Sequence, residues 1–183
     1  MFDKQRKKFK RWHKHLSSRQ KKLWTILKFL VIFNLMAVPL QLIIYFDINF
    51  YPLAFIERAQ VSFFLNLFGV QHTLYDVPYQ LGQLPAIDIN HQILAIGEAC
   101  TAIRSLIAFT ALVLASPKSW KSKKKGLLLL PIVYLANIIR IITLAFVSLT
   151  NPSLFELVHV VLWREGLVLL IISLWVYWFN KTD

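Results

Sequence analysis

Apolar residues are gathered into four long runs with polar or turn-forming stretches between them. Trp24–Phe46 is the first, 23 residues carrying Lys28, Asn34, Pro39 and Gln41. As a helix it is roughly 34 Å long, enough to cross a hydrocarbon core of about 30 Å. Ile93–Ser116, Leu127–Leu149 and Leu157–Phe179 follow as three further spans; the last closes on Trp175, Tyr177 and Trp178, the composition of an interfacial aromatic belt. Phe50–Val70 is also apolar and aromatic but holds Glu57, Arg58 and Gln60. That pattern predicts an amphipathic helix lying on the membrane surface. Gln71–Asn90, with Pro78, Gly82 and Pro85 between short alternating pieces, predicts extended chain or a small hairpin outside the bilayer. The pattern therefore predicts an all-α membrane protein. Four transmembrane helices form a bundle, with an interfacial helix and an extracytoplasmic loop between the first and second.

Charge orients these elements. The 183 residues are 57% hydrophobic, yet the net charge is +12. Residues 1–22 hold ten Lys/Arg against one acid, Asp3, and residues 117–125 hold five lysines and no acid. Such clusters beside membrane spans are retention charges facing anionic lipid, a stronger reading than a nucleic-acid surface. They divide the chain into a basic cytoplasmic tail (1–22) and a single membrane-embedded domain (23–183). The tail, with Phe9 and Trp12 interspersed, reads as a short interfacial helix or as disordered chain. The first run is too long for a signal-peptide core and no small-residue cleavage site follows, so it reads as a retained anchor. With the N-terminus and the lysine loop both cytoplasmic, the first span runs outward and the second inward. An even number of crossings must lie between them, and zero fits the surface reading of Phe50–Val70.

This topology collects polar residues at one depth. As helices, the spans raise Cys100 roughly 24 Å, Arg140 roughly 20 Å and His159 roughly 30 Å above their cytoplasmic ends. All three fall in the outer third of the bilayer, on three different helices. Asn137 and Arg140, three apart, share a helix face, and so do Cys100 and Arg104, four apart. A guanidinium within the hydrocarbon must face protein or water, which turns both arginines into the bundle and Cys100 with Arg104.

Cys100 is the only cysteine, which excludes an internal disulfide and a Cys-based zinc cluster. A cysteine, a histidine and an arginine form a plausible acyl-transfer set without a metal or cofactor: the thiolate attacks a carbonyl, the imidazole moves protons and the guanidinium stabilises the oxyanion. The same residues have plainer uses. A lone cysteine packs well between helices, and an intramembrane arginine can pair with an acid such as Glu98 to fix packing.

Glu98-Ala99-Cys100-Thr101-Ala102-Ile103-Arg104-Ser105-Leu106 resembles the signature of the exosortase/archaeosortase family, in which a cysteine followed by Ser/Thr, Gly and an apolar residue opens a transmembrane helix. Asn137-Ile138-Ile139-Arg140-Ile141 resembles the family's second motif, and His159 near the start of the last helix resembles the third. The likeness covers roughly residues 60–170. Ala102 departs from the usual glycine, and four spans make this a short form.

The resemblance implies a membrane cysteine transpeptidase of the cell membrane that cuts C-terminal sorting signals of exported, membrane-anchored proteins on the outer face. It implies Cys100 as nucleophile, Arg140 as transition-state stabiliser and His159 as proton shuttle, with Arg104, Ser105 and Asn137 supporting them. A non-enzymatic membrane assembly or transport subunit, with Arg104 and Arg140 paired to acids of a partner, is the competing reading, and a lipid-modifying acyltransferase is a third. His72 and His91, also on the expected outer side, are alternative bases.

Overall fold

The computed structural model describes residues 17–48, 50–79 and 82–182, apart from the side chains of Leu162 and Arg164. The expectation for the first sixteen residues of the basic tail, including Phe9 and Trp12, lies outside the described residues. From Ser18 the tail sequence is already helical.

Helix α1 (Ser18–Tyr45) opens on a reciprocal cap: the Ser17 hydroxyl accepts from the Gln20 amide, and the Gln20 side chain accepts from the Ser17 amide. Its 28 residues reach about 42 Å. Ile43 is its one buried residue, and leucines and isoleucines are exposed all round it, as befits a helix facing lipid.

Helix α2 (Tyr51–Leu67) starts with Pro52 in its first turn, where no amide donor is needed. Its buried residues, Ala54, Glu57, Arg58, Val61, Ser62 and Leu65, recur at helical spacing and form one face. The helix is amphipathic as expected, but its charged residues lie on the inner face. Phe55, Ile56, Phe63 and Leu67 are exposed instead. The inversion has a local cause, because the protein supplies partners for the polar groups: Arg58 Nη1 bonds Asp76 at 2.6 Å and the Tyr75 carbonyl at 2.8 Å.

The segment expected as extended chain or a hairpin is a three-stranded antiparallel sheet in the order β1 (Thr73–Tyr79), β2 (Gly82–Ile89), β3 (Gln92–Ala95). Asn90 and His91 turn β2 into β3, both at positive φ, as a tight two-residue hairpin demands. Ile87, Ile89, Leu94 and Ile96 form one core with Ala54, Val61 and Leu65 of α2 and with Ile141 and Ala145 further along.

β3 corrects the second span. Helix α3 runs only over Ile103–Ala115, 13 residues or about 20 Å, and residues 93–102 are strand and turn. The apolar run Ile93-Leu94-Ala95-Ile96 carries no helical period of its own, and the hairpin before it and Gly97 after it decide for strand. Cys100 consequently lies in a turn ahead of α3, not within a helix.

The lysine stretch is the short helix α4 (Trp120–Leu127), capped by Ser119, and helix α5 (Leu130–Thr150) follows. A 3-10 turn (Pro152–Leu154), one helical turn (Phe155–Leu157) and a π-helical segment (Val158–Arg164) lead into helix α6 (Glu165–Lys181). Among the described residues, three stretches are long and apolar enough to cross a membrane: Ser18–Tyr45, Trp120–Thr150 and Pro152–Lys181. The protein is thus a mostly helical membrane protein. The aromatic residues closing the last helix divide. Tyr177 is exposed, whereas Trp178 is buried and donates to the Ser122 carbonyl at 3.0 Å, and Trp175 donates to the Ser116 hydroxyl at 2.9 Å. These bonds tie α6 to α4 and to the end of α3.

Candidate active site

The turn carrying Cys100 follows directly from the sheet. The amides of Cys100 and Thr101 both reach the Gly97 carbonyl, at 2.9 and 3.2 Å, and the Thr101 hydroxyl bonds the Glu98 carbonyl at 3.0 Å. These local bonds make the turn a compact unit that ends where α3 begins.

Three side chains from two neighbouring helices grip the backbone of this unit. Asn137 Nδ2, on α5, donates to the Cys100 carbonyl at 2.9 Å. Arg140 Nη1, one turn on, donates to the Ala99 carbonyl at 3.3 Å. Glu57 Oε1, on α2, accepts the Ala102 amide at 2.9 Å. All three side chains are buried. The spacing of Asn137 and Arg140 puts both on the inner face of α5, as their sequence separation requires.

A cavity of about 440 Å³ opens beside the turn, bounded by α1, α3, α5 and the last helix. Ala99, Thr101, Arg104, Ser105, Arg140 and His159 supply its polar side, and Leu40, Ile44, Leu167 and Ile171 are among its apolar walls. His159 comes from the π-helical segment, whose wider coil re-aims side chains relative to an α-helix. Its ring lies 5.8 Å from that of Phe155.

The expected residues are thus gathered, with one correction. Arg104 and Ser105 line the cavity, but Cys100 does not share their face. Its side chain packs against the core cluster of α2, the sheet and α5, while its neighbours Ala99 and Thr101 border the cavity. The cause is the turn, since four residues place two side chains on one face only inside a helix. Cys100 still lies within electrostatic range of Arg140. Arg104 pairs with Glu98, the acid named from the sequence as its alternative partner.

The other two histidines sit elsewhere. Both ring nitrogens of His72 are engaged, with the Ser62 hydroxyl at 2.7 Å and the Val70 carbonyl at 2.9 Å. His91 is exposed in the β2–β3 turn.

Sequence reasoning passed over Glu57. Its signal is an acid within an aromatic run, a pattern that marks the wet side of a surface helix as readily as a buried polar contact. The residue is instead fully buried against the Cys100 turn, facing Asn137 and Arg140. Burial pushes its carboxyl up to about 7, against an ordinary value of 4.5.

Chemically the arrangement offers a thiol, a guanidinium held on the same turn, an imidazole across a cavity, and partly apolar cavity walls. Compared with known families, the chain matches the one described as transmembrane exosortase over residues 16–179. Neither the curated proteins nor the solved structures yield a significant match.

Proposed function

The chain belongs to the transmembrane exosortase family, and from that membership we propose that it is a membrane-embedded cysteine transpeptidase that cuts C-terminal sorting signals of exported proteins on the extracytoplasmic face. The observation that carries this reading is the meeting of Arg140 and His159 in one cavity beside the turn of Cys100. The substrate's own transmembrane helix would bring its scissile peptide to that cavity from the lipid.

In this reading the Cys100 thiolate attacks the scissile carbonyl, its proton having passed to His159. The C–S bond forms as the carbonyl π pair moves onto oxygen, and the Arg140 guanidinium stabilises the resulting oxyanion. Collapse breaks the C–N bond, and His159 returns the proton to the leaving amine. A thioester remains on Cys100 until water or an amine displaces it and restores the thiol. Arg140 binds the Ala99 carbonyl, so its charge is held at the turn before substrate arrives, without reorganisation cost in the transition state. Arg104, tied to Glu98, would shape the cavity wall rather than take part in the bond changes.

The partner-subunit alternative needs arginines that await acids from another chain. Arg104 has its acid in cis and Arg140 is held by the Ala99 carbonyl, which leaves that reading without a specific support. The deciding experiment is substrate processing by a Cys100→Ala variant in its native membrane. Loss of processing with normal membrane insertion is expected, and normal processing would sink the proposal.

A further inference from the structure

Glu57 takes no part in the bond changes above, yet it is fully buried at the turn they depend on. A carboxylate in such surroundings costs several kcal/mol unless donors surround it, and otherwise the group keeps its proton. Glu57 has one donor, the Ala102 amide on Oε1. Among the described residues, Glu57 Oε2 has no hydrogen-bond partner, and neither has Asn137 Oδ1. The two side chains lie within hydrogen-bonding range of each other. With Asn137 Nδ2 given to the Cys100 carbonyl, the atom that Asn137 can offer Glu57 is Oδ1; two such acceptors repel unless a proton lies between them, and a single proton on Glu57 Oε2 would satisfy both.

We propose that Glu57 is a positioning residue of this site, held as the neutral acid, which donates its proton to Asn137 Oδ1 while accepting the Ala102 amide and so fixes the turn that carries Cys100. The role rests on reading Cys100 as the nucleophile. With Oδ1 occupied, the Asn137 amide has its Nδ2 aimed at the Cys100 carbonyl, which is the bond seen. A neutral Glu57 also leaves the Arg140 charge free for the thiolate and the oxyanion.

Ionisation would reverse these effects. The carboxylate would compete for Arg140, repel the thiolate and draw the Asn137 amide nitrogen away from Cys100. The titratable or charged groups facing Glu57 are Arg140 and Tyr134 on α5 and Cys100 in the turn. Arg58, on its own helix, is held by Asp76, and Asp88 on β2 interacts with Tyr75. With the carboxyl raised to about 7 by burial, the change falls near neutral pH.

The single cysteine makes the test direct. The full-length protein in lipid nanodiscs is alkylated with iodoacetamide from about pH 6 to about pH 8.5, as wild type, E57Q and E57A. Glutamine offers an amide N–H donor and a carbonyl acceptor where the neutral acid offers a hydroxyl donor and a carbonyl acceptor. The E57Q to wild-type rate ratio should lie near one at the acid end and rise by about threefold or more at the alkaline end, equivalent to half a unit in thiol pKa. E57A, which frees both the Ala102 amide and Asn137 Oδ1, should depart from wild type at every pH.

Infrared spectra should show the carbonyl band of a protonated carboxylic acid at the acid end, absent from E57Q. A pH-independent ratio, an E57Q that behaves as E57A, or no such band would overturn the proposal. A Cys100→Ala variant that still processes substrate would instead remove the transpeptidase reading, and the infrared band and rate ratio would still decide the state of Glu57.

Discussion

The side-chain amide of Asn137 donates to the backbone carbonyl of Cys100 at 2.9 Å, linking the middle of α5 to the turn ahead of α3. The bond is buried on the Asn137 side and is backed one turn on by Arg140. Asn137→Ala leaves the carbonyl without its donor and opens a small void. We expect a loss of about 1–3 kcal/mol in stability. Substrate processing should fall by about tenfold or more, because a small misplacement of a reacting atom is costly. Thermal denaturation in detergent and processing in membranes measure the two effects separately. Wild-type processing by a destabilised Asn137→Ala protein would restrict the bond to a structural role.

The pH dependence of stability follows from Glu57. Its carboxyl is raised from 4.5 to about 7 in the folded protein, so the native state binds the proton more tightly than the unfolded chain. The contribution is fully present below about pH 4.5 and is lost as pH rises through about 7. Its full size, from the difference between those two values, is up to about 3 kcal/mol. Relative to Glu57→Gln, which does not titrate, wild-type protein should lose stability between about pH 5 and about pH 8. Thermal midpoints of both proteins across that range check the sign. Parallel curves would show that Glu57 is ionised throughout.

What could be read in the sequence is explained by the range of each signal. Apolar runs and lysine clusters report on the bilayer, so α1, α5 and the last helix were legible from composition alone. The meeting of Arg140 and His159 was legible too, because their expense in an apolar setting demands a shared polar place. Cys100 and Arg104 were misread as one helical face because the start of α3 depends on a hairpin turn at Asn90 and His91 and on the pairing of β3 with β2. Neither leaves a mark on the periodicity around the cysteine. Glu57 was misread because hydropathy shows that a charge sits in an apolar helix but not whether water or a buried amide meets it.

At the opposite end of the bundle, Gly126 on α4 marks a close approach. A Cβ there would lie 2.7 Å from Trp178 Cε2 and 2.8 Å from Val113 Cγ1. Trp178 is buried and bonded to the Ser122 carbonyl, so it has little room to yield. Gly126→Ala should destabilise the protein by about 1–3 kcal/mol through overpacking. Because the contact is remote from the cavity, Cys100 alkylation at a temperature where the variant is folded should match wild type. A changed alkylation rate would reveal coupling between the two ends.

Arg104 and Glu98 form an ion pair across the start of α3, with the Glu98 side chain 11% and the Arg104 side chain 32% exposed. Glu98 Oε2 and Arg104 Nε have no other partner among the described residues. Removing one member therefore leaves the other's partly buried charge uncompensated, whereas removing both leaves none. Glu98→Gln and Arg104→Gln should each lower the thermal midpoint, and the double variant should recover part of the loss. The expected coupling is about 0.5–3 kcal/mol. If Arg104 only shapes the wall, the double variant should also regain processing beyond Arg104→Gln alone. If Arg104 takes part in the chemistry, stability recovers in the double variant but processing does not, and the two readouts separate the roles.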